Sequence, residues 1–538
     1  MAFNIADIFE RAVDLMPERT ALVCGEQRRT YLELDERSNR VAHHLASLGV
    51  GAGDHVGVYS QNCAEWVETM LGCFKIRAVP INVNFRYVED ELRYIFDNAD
   101  LVGVVYDAAY ADRLDAIAGD LPGLRFRLAI GPEYEAAVAA AAPDRDFAVR
   151  SPDDLYILYT GGTTGMPKGV MWRQEDVFFA LGQGIDATTG HKVEADDELA
   201  KKGAAGGSVV LLNTPPLMHG AAQWGTLGQL AQGNTIVLMP RFDAEEVWAI
   251  VQREGVNSVL IAGDAMGRPM IEALEADPDR WDLSSLFAVT SSAALFSVPV
   301  KERYFALLPH LMIIDSIGSS EGGFNGLSAV GKDNPTGGSS GGLPRVNPMA
   351  DVIVVDDDLN PLTPGDGQIG RVARGGNIPL GYYKDERKTA STFLTAPDGN
   401  RYVVAGDFAR WEADGTVTLL GRGSVCINSG GEKIFPEEVE GVLKAHPDVF
   451  DVLVVGVPDE RWGSAVTAVV QPTEGSTPTL EDLNAASRSK LASYKLPRHL
   501  VVVDEIVRSP AGKPDYPWAA KHAADQLSGP GSSPAASP

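Results

Sequence analysis

Residues Tyr156–Val170 read YILYTGGTTGMPKGV, and the change of character midway through them decides how the rest of the chain is read. The run LYILYT, from Leu155 to Thr160, is apolar, aromatic and β-branched, which suits a strand buried in a sheet. Gly161, Gly162 and Gly165 then permit backbone conformations that a Cβ forbids. Successive N–H groups in such a loop point inward and make a concave anion site. Thr160, Thr163 and Thr164 add hydroxyls and Lys168 adds a full positive charge. Glycine clusters after strands are often plain turns, but hydroxyls and a lysine within the same few residues favour a loop that holds phosphate.

The G-x-x-x-x-G-K-[ST] spacing of a P-loop is absent, and no G-x-G-x-x-G opens a helix. The stretch instead resembles the signature of the adenylate-forming superfamily, Y-[ST]-S-G-T-T-G-x-P-K-G, with Gly161 where serine is usual. That superfamily contains acyl-CoA synthetases, luciferases and peptide-synthetase adenylation domains.

The chain has 538 residues, more than one hydrophobic core usually organises, so two or more domains are expected. Its 45% hydrophobic and 22% charged residues are those of a globular protein, and a net charge of −27 argues against nucleic acid as a partner. Cys24, Cys63, Cys73 and Cys426 form neither a disulfide framework nor a C-x-x-C metal site, which suits reduced thiols in a cytoplasmic protein. The first residues carry acids and lack the apolar core of a signal peptide, and no run is long enough to span a bilayer.

Apolar spacing predicts a helix over Ile5–Leu15 and, capped by Thr30, a longer one ending at Gly49. Strands are predicted in GDHVGVYS, CFKIRAVPINVN and ADLVGVVYD, so layered α/β architecture with parallel strands is expected. Residues Ala109–Arg150 read as helical, and Glu194–Gly207 and Thr336–Gly342 as loops. VVLLNTPPLMHG reads as a strand that His219 ends, VNSVLIAGDAM and LFAVTSSAALF as two more, and Met312–Gly323 as a strand running into a turn with one carboxylate, Glu321. PLTPGDGQIGRVARGGNIPLGYYKD reads as a β-subdomain.

The resemblance assigns roles to these positions. PPLMH is similar to a proline-aromatic-histidine segment lining the acyl pocket, with Met218 for the aromatic, and implies a substrate-side role for His219. TSSAAL stands for S-G-G-A-P-L, a backbone surface for adenine, with Ala294 for proline. Ile317–Glu321 resembles Y-G-x-T-E, so Glu321 would coordinate Mg²⁺ and Ser320 contact the α-phosphate, with Ile317 in the aromatic position. Asp407 matches the aspartate of [TS]-G-D that takes the ribose hydroxyls, with Ala405 for the threonine. Arg422 would contact the ribose and phosphate side. In the hinge segment Val425 stands where an aspartate is usual, and Asn428 stands near the usual lysine. SPAGK resembles the near-terminal T-x-x-G-K context and implies a catalytic Lys513.

The implied fold is α/β: a large layered domain with a β-subdomain over residues 1–420, a hinge over 421–427, a small mobile α/β domain over 428–527, and a disordered tail over 528–538. The implied reaction joins a carboxylic acid to CoA through an acyl adenylate, with ATP, Mg²⁺ and CoA required. Thr163, Lys168, His219, Glu321 and Lys513 would form the catalytic group. Thr160–Gly165, Lys168, Ser320, Asp407, Arg422 and Lys513 would hold the nucleotide. Wording such as GGTTGMPKGVMWR and NSGGEKIFPEEVE is similar to actinobacterial fatty-acid and steroid side-chain acyl-CoA synthetases, which implies a large hydrophobic acid. A carrier-protein acceptor and a non-catalytic acyl or nucleotide binder are the rival readings. A homodimer is compatible with the sequence, which leaves oligomeric state open.

Overall fold

The computed structural model describes residues 3–160, 166–181, 184, 192–337, 343–429, 432–459, 462–508 and 513–528. In it the glycine-rich stretch joins the two arms of a β-hairpin. Leu155–Thr160 pairs antiparallel with Lys168–Arg173, with Thr160 opposite Lys168, and Gly381–Tyr382 pairs with the outer side of the second arm. Successive side chains leave opposite faces of a strand. Tyr156 and Leu158, with Val170 and Trp172, enter one apolar core, while Ile157 and Tyr159 enter another. Burial on both faces explains why LYILYT has no polar alternation.

The two cores belong to two parallel sheets. One orders Val79–Asn82, His55–Tyr59, Leu101–Asp107 and Phe126–Ile130. In the other, six of the described strands run parallel in the order Met312–Ser319, Ala288–Ser291, Ser258–Ile261, Val210–Asn213, Thr235–Leu238 and Thr20–Cys24. This sheet continues past Met312–Ser319 as antiparallel strands, through Gly323–Val330, Arg345–Pro348, Val417–Arg422 and Asp407–Trp411. Of the stretch expected as a β-subdomain, Ile369–Arg374 pairs with Asp407–Trp411 and extends this sheet, while Gly381–Tyr382 joins the hairpin instead. Toward the C-terminus, Val449–Asp459, Gly463–Pro472 and His499–Val502 form a small sheet packed with Pro436–Leu443, Leu480–Ser487 and Tyr516–Ser528 around cores of their own.

The helix Ile5–Leu15 forms as the spacing predicts. Thr30 caps Tyr31–Ser47 in a reciprocal box, its hydroxyl accepting from the Glu33 N–H while the Glu33 carboxylate accepts from the Thr30 N–H. Other expectations give way. The segment Ala109–Arg150 holds helices Ala111–Ile117 and Pro132–Ala140, but Phe126–Ile130 is an edge strand because all five of its residues pair with Gly103–Asp107. Glu198–Ala205 is a helix rather than loop, as its Leu, Ala and Lys content favours. The strand before His219 stops at Asn213, and His219 is the N-cap of helix Gly220–Ala231. Ser528 closes a helix, and the rest of the expected tail lies outside the described residues, as do most of Thr336–Gly342. Among the described residues no helix is long and apolar enough to cross a membrane.

Candidate active site

A cavity of about 770 Å³ opens where the parallel strands end at Ile261, Ser291 and Ser319, the usual place for ligands in such sheets. Thr160, His219, Ser320, Glu321, Asp407 and Lys513, widely separated in sequence, all line it. Gly161, Gly162, Thr163, Thr164 and Gly165 lie outside the described residues, as does the side chain of Arg422, whose backbone stands opposite Asp407.

Two bonds stitch the hairpin to the Ser320–Glu321 turn. Trp172, fully buried, donates its indole N–H to the Ser320 carbonyl at 3.0 Å. Tyr382 donates its hydroxyl to Glu321 Oε1 at 2.7 Å. The Lys168 ammonium lies over the Tyr382 ring, 5.8 Å from its centroid, and pairs with Asp385 at 2.9 Å. That hydrogen bond from Lys168, with the Lys388 N–H, holds the Asp385 carboxyl below the usual range. Tyr382 and Asp385 went unnoticed in the sequence because GYYKD reads as turn-rich strand; the signal was an aromatic pair beside a lysine and an acid.

The approach to His219 is irregular backbone, held by two buried asparagines. Asn62 accepts from the Leu217 N–H and donates to the Pro215 carbonyl, while Asn82 bridges the Tyr159 and Met218 carbonyls at 2.8 and 2.7 Å. Asn82 therefore sets the distance between the residue before Thr160 and the residue before His219. The His219 Nε2 is shielded from solvent and has no hydrogen-bond partner among the described residues. Burial, reinforced by the positive charges of Lys513 and Arg86, pushes the imidazole down to about 3, so the ring is neutral at physiological pH.

In TSSAAL, Ala293 has φ +68° and its neighbours close a tight turn, the Ala294 N–H donating to the Ser292 carbonyl at 2.9 Å. This strained backbone forms a wall of the cavity. Asp407 begins its strand directly after Gly406, whose φ of +97° turns the chain there.

Lys513 is held by its flanks. Arg508 and Pro514, on either side of it, form a β-bridge, Arg508 pairs with Asp451 at 2.7 Å, and Tyr516 donates to Glu440 at 3.2 Å. Between the large and small parts, Lys444 stands 3.7 Å from Asp264 and the Arg268 guanidinium lies 4.9 Å above the Phe450 ring. Val425 packs against an apolar cluster that includes Ile506 and Tyr516, so a valine suits the place where an aspartate is usual. Asn428 is exposed and sits opposite Lys433 in the short hairpin that follows.

Among the described residues no cluster of three metal-binding side chains occurs. Glu321 nevertheless fits Mg²⁺: Tyr382 engages Oε1, Oε2 has no protein partner among the described residues, and Mg²⁺ commonly takes one or two carboxylates plus phosphates and waters.

Comparison with known proteins bears on the fold and the family. The model of the AMP-binding enzymes matches residues 9–383, and that of the AMP-binding enzyme C-terminal domain matches 438–513. The chain is 53% identical to a 3-oxocholest-4-en-26-oate–CoA ligase of Rhodococcus rhodochrous over 96% of each chain. It is 52% identical to a medium/long-chain-fatty-acid–CoA/3-oxocholest-4-en-26-oate–CoA ligase of Mycobacterium marinum, again over 96% of each. The solved anthranilate CoA ligase AuaEII with anthranoyl-AMP shares the fold at a TM-score of 0.83 and 23% identity, covering 98% of both chains. A first model that spans most of the chain and a second that ends at Lys513 leave one assignment, and this protein belongs to the AMP-binding enzyme family.

Proposed function

We propose that this protein is an AMP-forming acyl-CoA ligase acting on large hydrophobic carboxylic acids, steroid side-chain acids and medium- to long-chain fatty acids. The observation that carries the reading is the single cavity lined by Thr160, His219, Ser320, Glu321, Asp407 and Lys513, the positions that the resemblance assigns to nucleotide and acid. The names of the highly identical relatives support the acid class.

A carboxylate oxygen attacks the α-phosphorus of ATP, the α–β phosphoanhydride bond breaks and pyrophosphate leaves. The CoA sulfur, its proton lost to solvent, then attacks the acyl carbon, and the bond to AMP breaks. In our reading Lys168 and Lys513 meet the phosphate charge, Ser320 contacts the α-phosphate, and Asp407 accepts from the ribose hydroxyls. Glu321 would hold Mg²⁺, which supplies charge neutralisation at the phosphates when bound. Neutral His219 shapes the acid end. Thr163, Thr164, the loop glycines and Arg422 keep their proposed nucleotide roles.

We take the boundary at Gly421, with residues 421–427 as hinge and 428–527 as the mobile unit that carries Lys513. Supporting this, Gly421 has φ +130°, a backbone conformation that glycine adopts freely. We place the enzyme in the cytoplasm, where its four free thiols stay reduced, and leave a homodimer as an outcome for sizing.

ATP- and CoA-dependent pyrophosphate release, with mass detection of the thioester, tests the reading. Wild type should form thioester with hydrophobic acids, and Lys513→Ala should slow adenylation by about 10²–10³. Pyrophosphate without thioester would point to a carrier acceptor; no adenylation of any acid would overturn the proposal.

A further inference from the structure

The cavity does not end at the nucleotide. From His219 it runs along the helix Gly220–Ala231 to Gln232, thirteen residues on and about 20 Å away at 1.5 Å per residue. Ala221, Trp224, Gly225 and Gly228 line it at the spacing of one helical face. The facing wall is the sheet, where Leu211 and Leu260 project into the same space. At Gly225 the passage is narrow: a Cβ there would lie 3.4 Å from Leu260 and 3.9 Å from Leu211, so a larger side chain would close it.

This passage is apolar along its middle but polar at its far end, where Gln229 and Gln232 line it. Their amides are oriented by the surrounding backbone. The Val209 N–H donates to Asn234 Oδ1 at 2.9 Å, which leaves the Asn234 amino group as a donor, and it donates to Gln229 Oε1 at 2.7 Å. The Gln229 carbonyl is thereby occupied, and its Nε2, with two hydrogens, has no protein partner among the described residues. Gln232 spends its own amino group on the Gly228 carbonyl at 3.0 Å. The far end thus presents a fixed donor at Gln229. A purely hydrocarbon tail would leave that donor unpaired when water is displaced, which costs affinity.

We propose that Gln229 is a specificity residue that donates, through Nε2, to a carbonyl oxygen at the end of the acid remote from its carboxylate. Such an acid is a flat ring system with a ketone at one end and a side-chain carboxylate at the other, the chemistry named in 3-oxocholest-4-en-26-oate. The inference rests on the acyl-CoA ligase reading and deepens it. Asn234 acts on the ketone only through Gln229 and is a positioning residue.

The test measures kcat/KM for thioester formation with three acids: 3-oxocholest-4-en-26-oate, the same steroid acid without the ring oxygen, and dodecanoate. Wild type should prefer the oxo acid to its deoxo analogue by about tenfold or more, mainly in KM. In Gln229→Leu that ratio should fall toward one. In Gln229→Glu, where an acceptor replaces the donor, it should invert. Because the ratio is taken within one variant, a partly destabilised protein does not disturb it. A ratio unchanged in both variants, or a wild type that does not distinguish the two steroids, would overturn the inference. If wild type converts dodecanoate but neither steroid, the remote-ketone assignment falls while the ligase reading stands. If it adenylates none of the three, the ligase reading falls first.

Discussion

Tyr382 donates to Glu321 Oε1 at 2.7 Å from a ring that is itself packed beneath the Lys168 ammonium. One side chain, 5% exposed, therefore contacts both the carboxylate proposed for Mg²⁺ and the lysine that follows the glycine-rich stretch. Groups that orient a metal-binding carboxylate typically matter by about 10–100-fold. Tyr382→Phe keeps the ring under Lys168 but frees Glu321, and should lower kcat/KM for ATP by about tenfold while raising the Mg²⁺ needed for half-maximal rate. Unchanged Mg²⁺ dependence at full activity would show that the phenol does not position Glu321.

Ala293, at φ +68°, holds a conformation that costs a non-glycine residue about 1–2 kcal/mol. Ala293→Gly relieves that strain but loosens the unfolded chain, so the net gain is at most about 1 kcal/mol. Ala293→Val should destabilise by more than the glycine gains, because a β-branched residue tolerates positive φ poorly. Thermal unfolding of the two variants should bracket the wild type, and equal midpoints would contradict the strain.

Glu440 is buried in the small domain, where burial pushes its carboxyl from the ordinary 4.5 up to about 7 against the pull of the Val454 N–H, Lys444 and Arg508. Between pH 4.5 and 7 the folded protein keeps a proton that the unfolded chain releases, so this group's contribution to stability falls as pH rises, by up to about 1.4 kcal/mol per unit, and levels off above 7. Asp451 acts in the opposite sense and in more acidic solution, its carboxyl held low by Lys444 and Arg508 despite burial. Glu440→Gln copies the protonated form. Its stabilisation over wild type should grow from pH 5 to 7 and then stay constant; a difference independent of pH would refute the shift.

Lys75, fully buried, pairs with Glu10 at 2.6 Å and Asp35 at 2.7 Å, and Arg145 and Arg150 complete the network. Removing one member of a buried pair typically costs about 3–5 kcal/mol because the remaining charges lose their partner. Lys75→Met should lower the thermal midpoint by several degrees without altering the ratio of activities on different acids. A midpoint within one degree of wild type would mean that the arginines suffice.

Much of the fold follows from local pattern. The apolar run of Leu155–Thr160, the Ile5–Leu15 periodicity and the Thr30–Glu33 box each specify structure within a few residues, through side-chain packing and capping that need no distant partner. The residues proposed for the site drew notice for the same reason, since glycines, threonines and Lys168 within a few positions, or Glu321 and Asp407 beside glycines, stand out by type and spacing. Where a residue's meaning depended on partners far along the chain, sequence alone fell short. Phe126–Ile130 is a strand because Leu101–Asp107 lies beside it, and Tyr382 matters because it pairs across 61 positions with Glu321. Hydrogen bonds across such separations carry no periodicity. By itself, then, the sequence determined the elements whose pattern is local, such as Ile5–Leu15 and Leu155–Thr160, and which side chains carry charge, because those depend on neighbours in the chain. Only the tertiary structure decided that Asn82 ties Tyr159 to Met218, and that the Val209 N–H aims Gln229 through Asn234. Those bonds exist because separate elements pack at hydrogen-bonding distance, and that distance is set by the whole core.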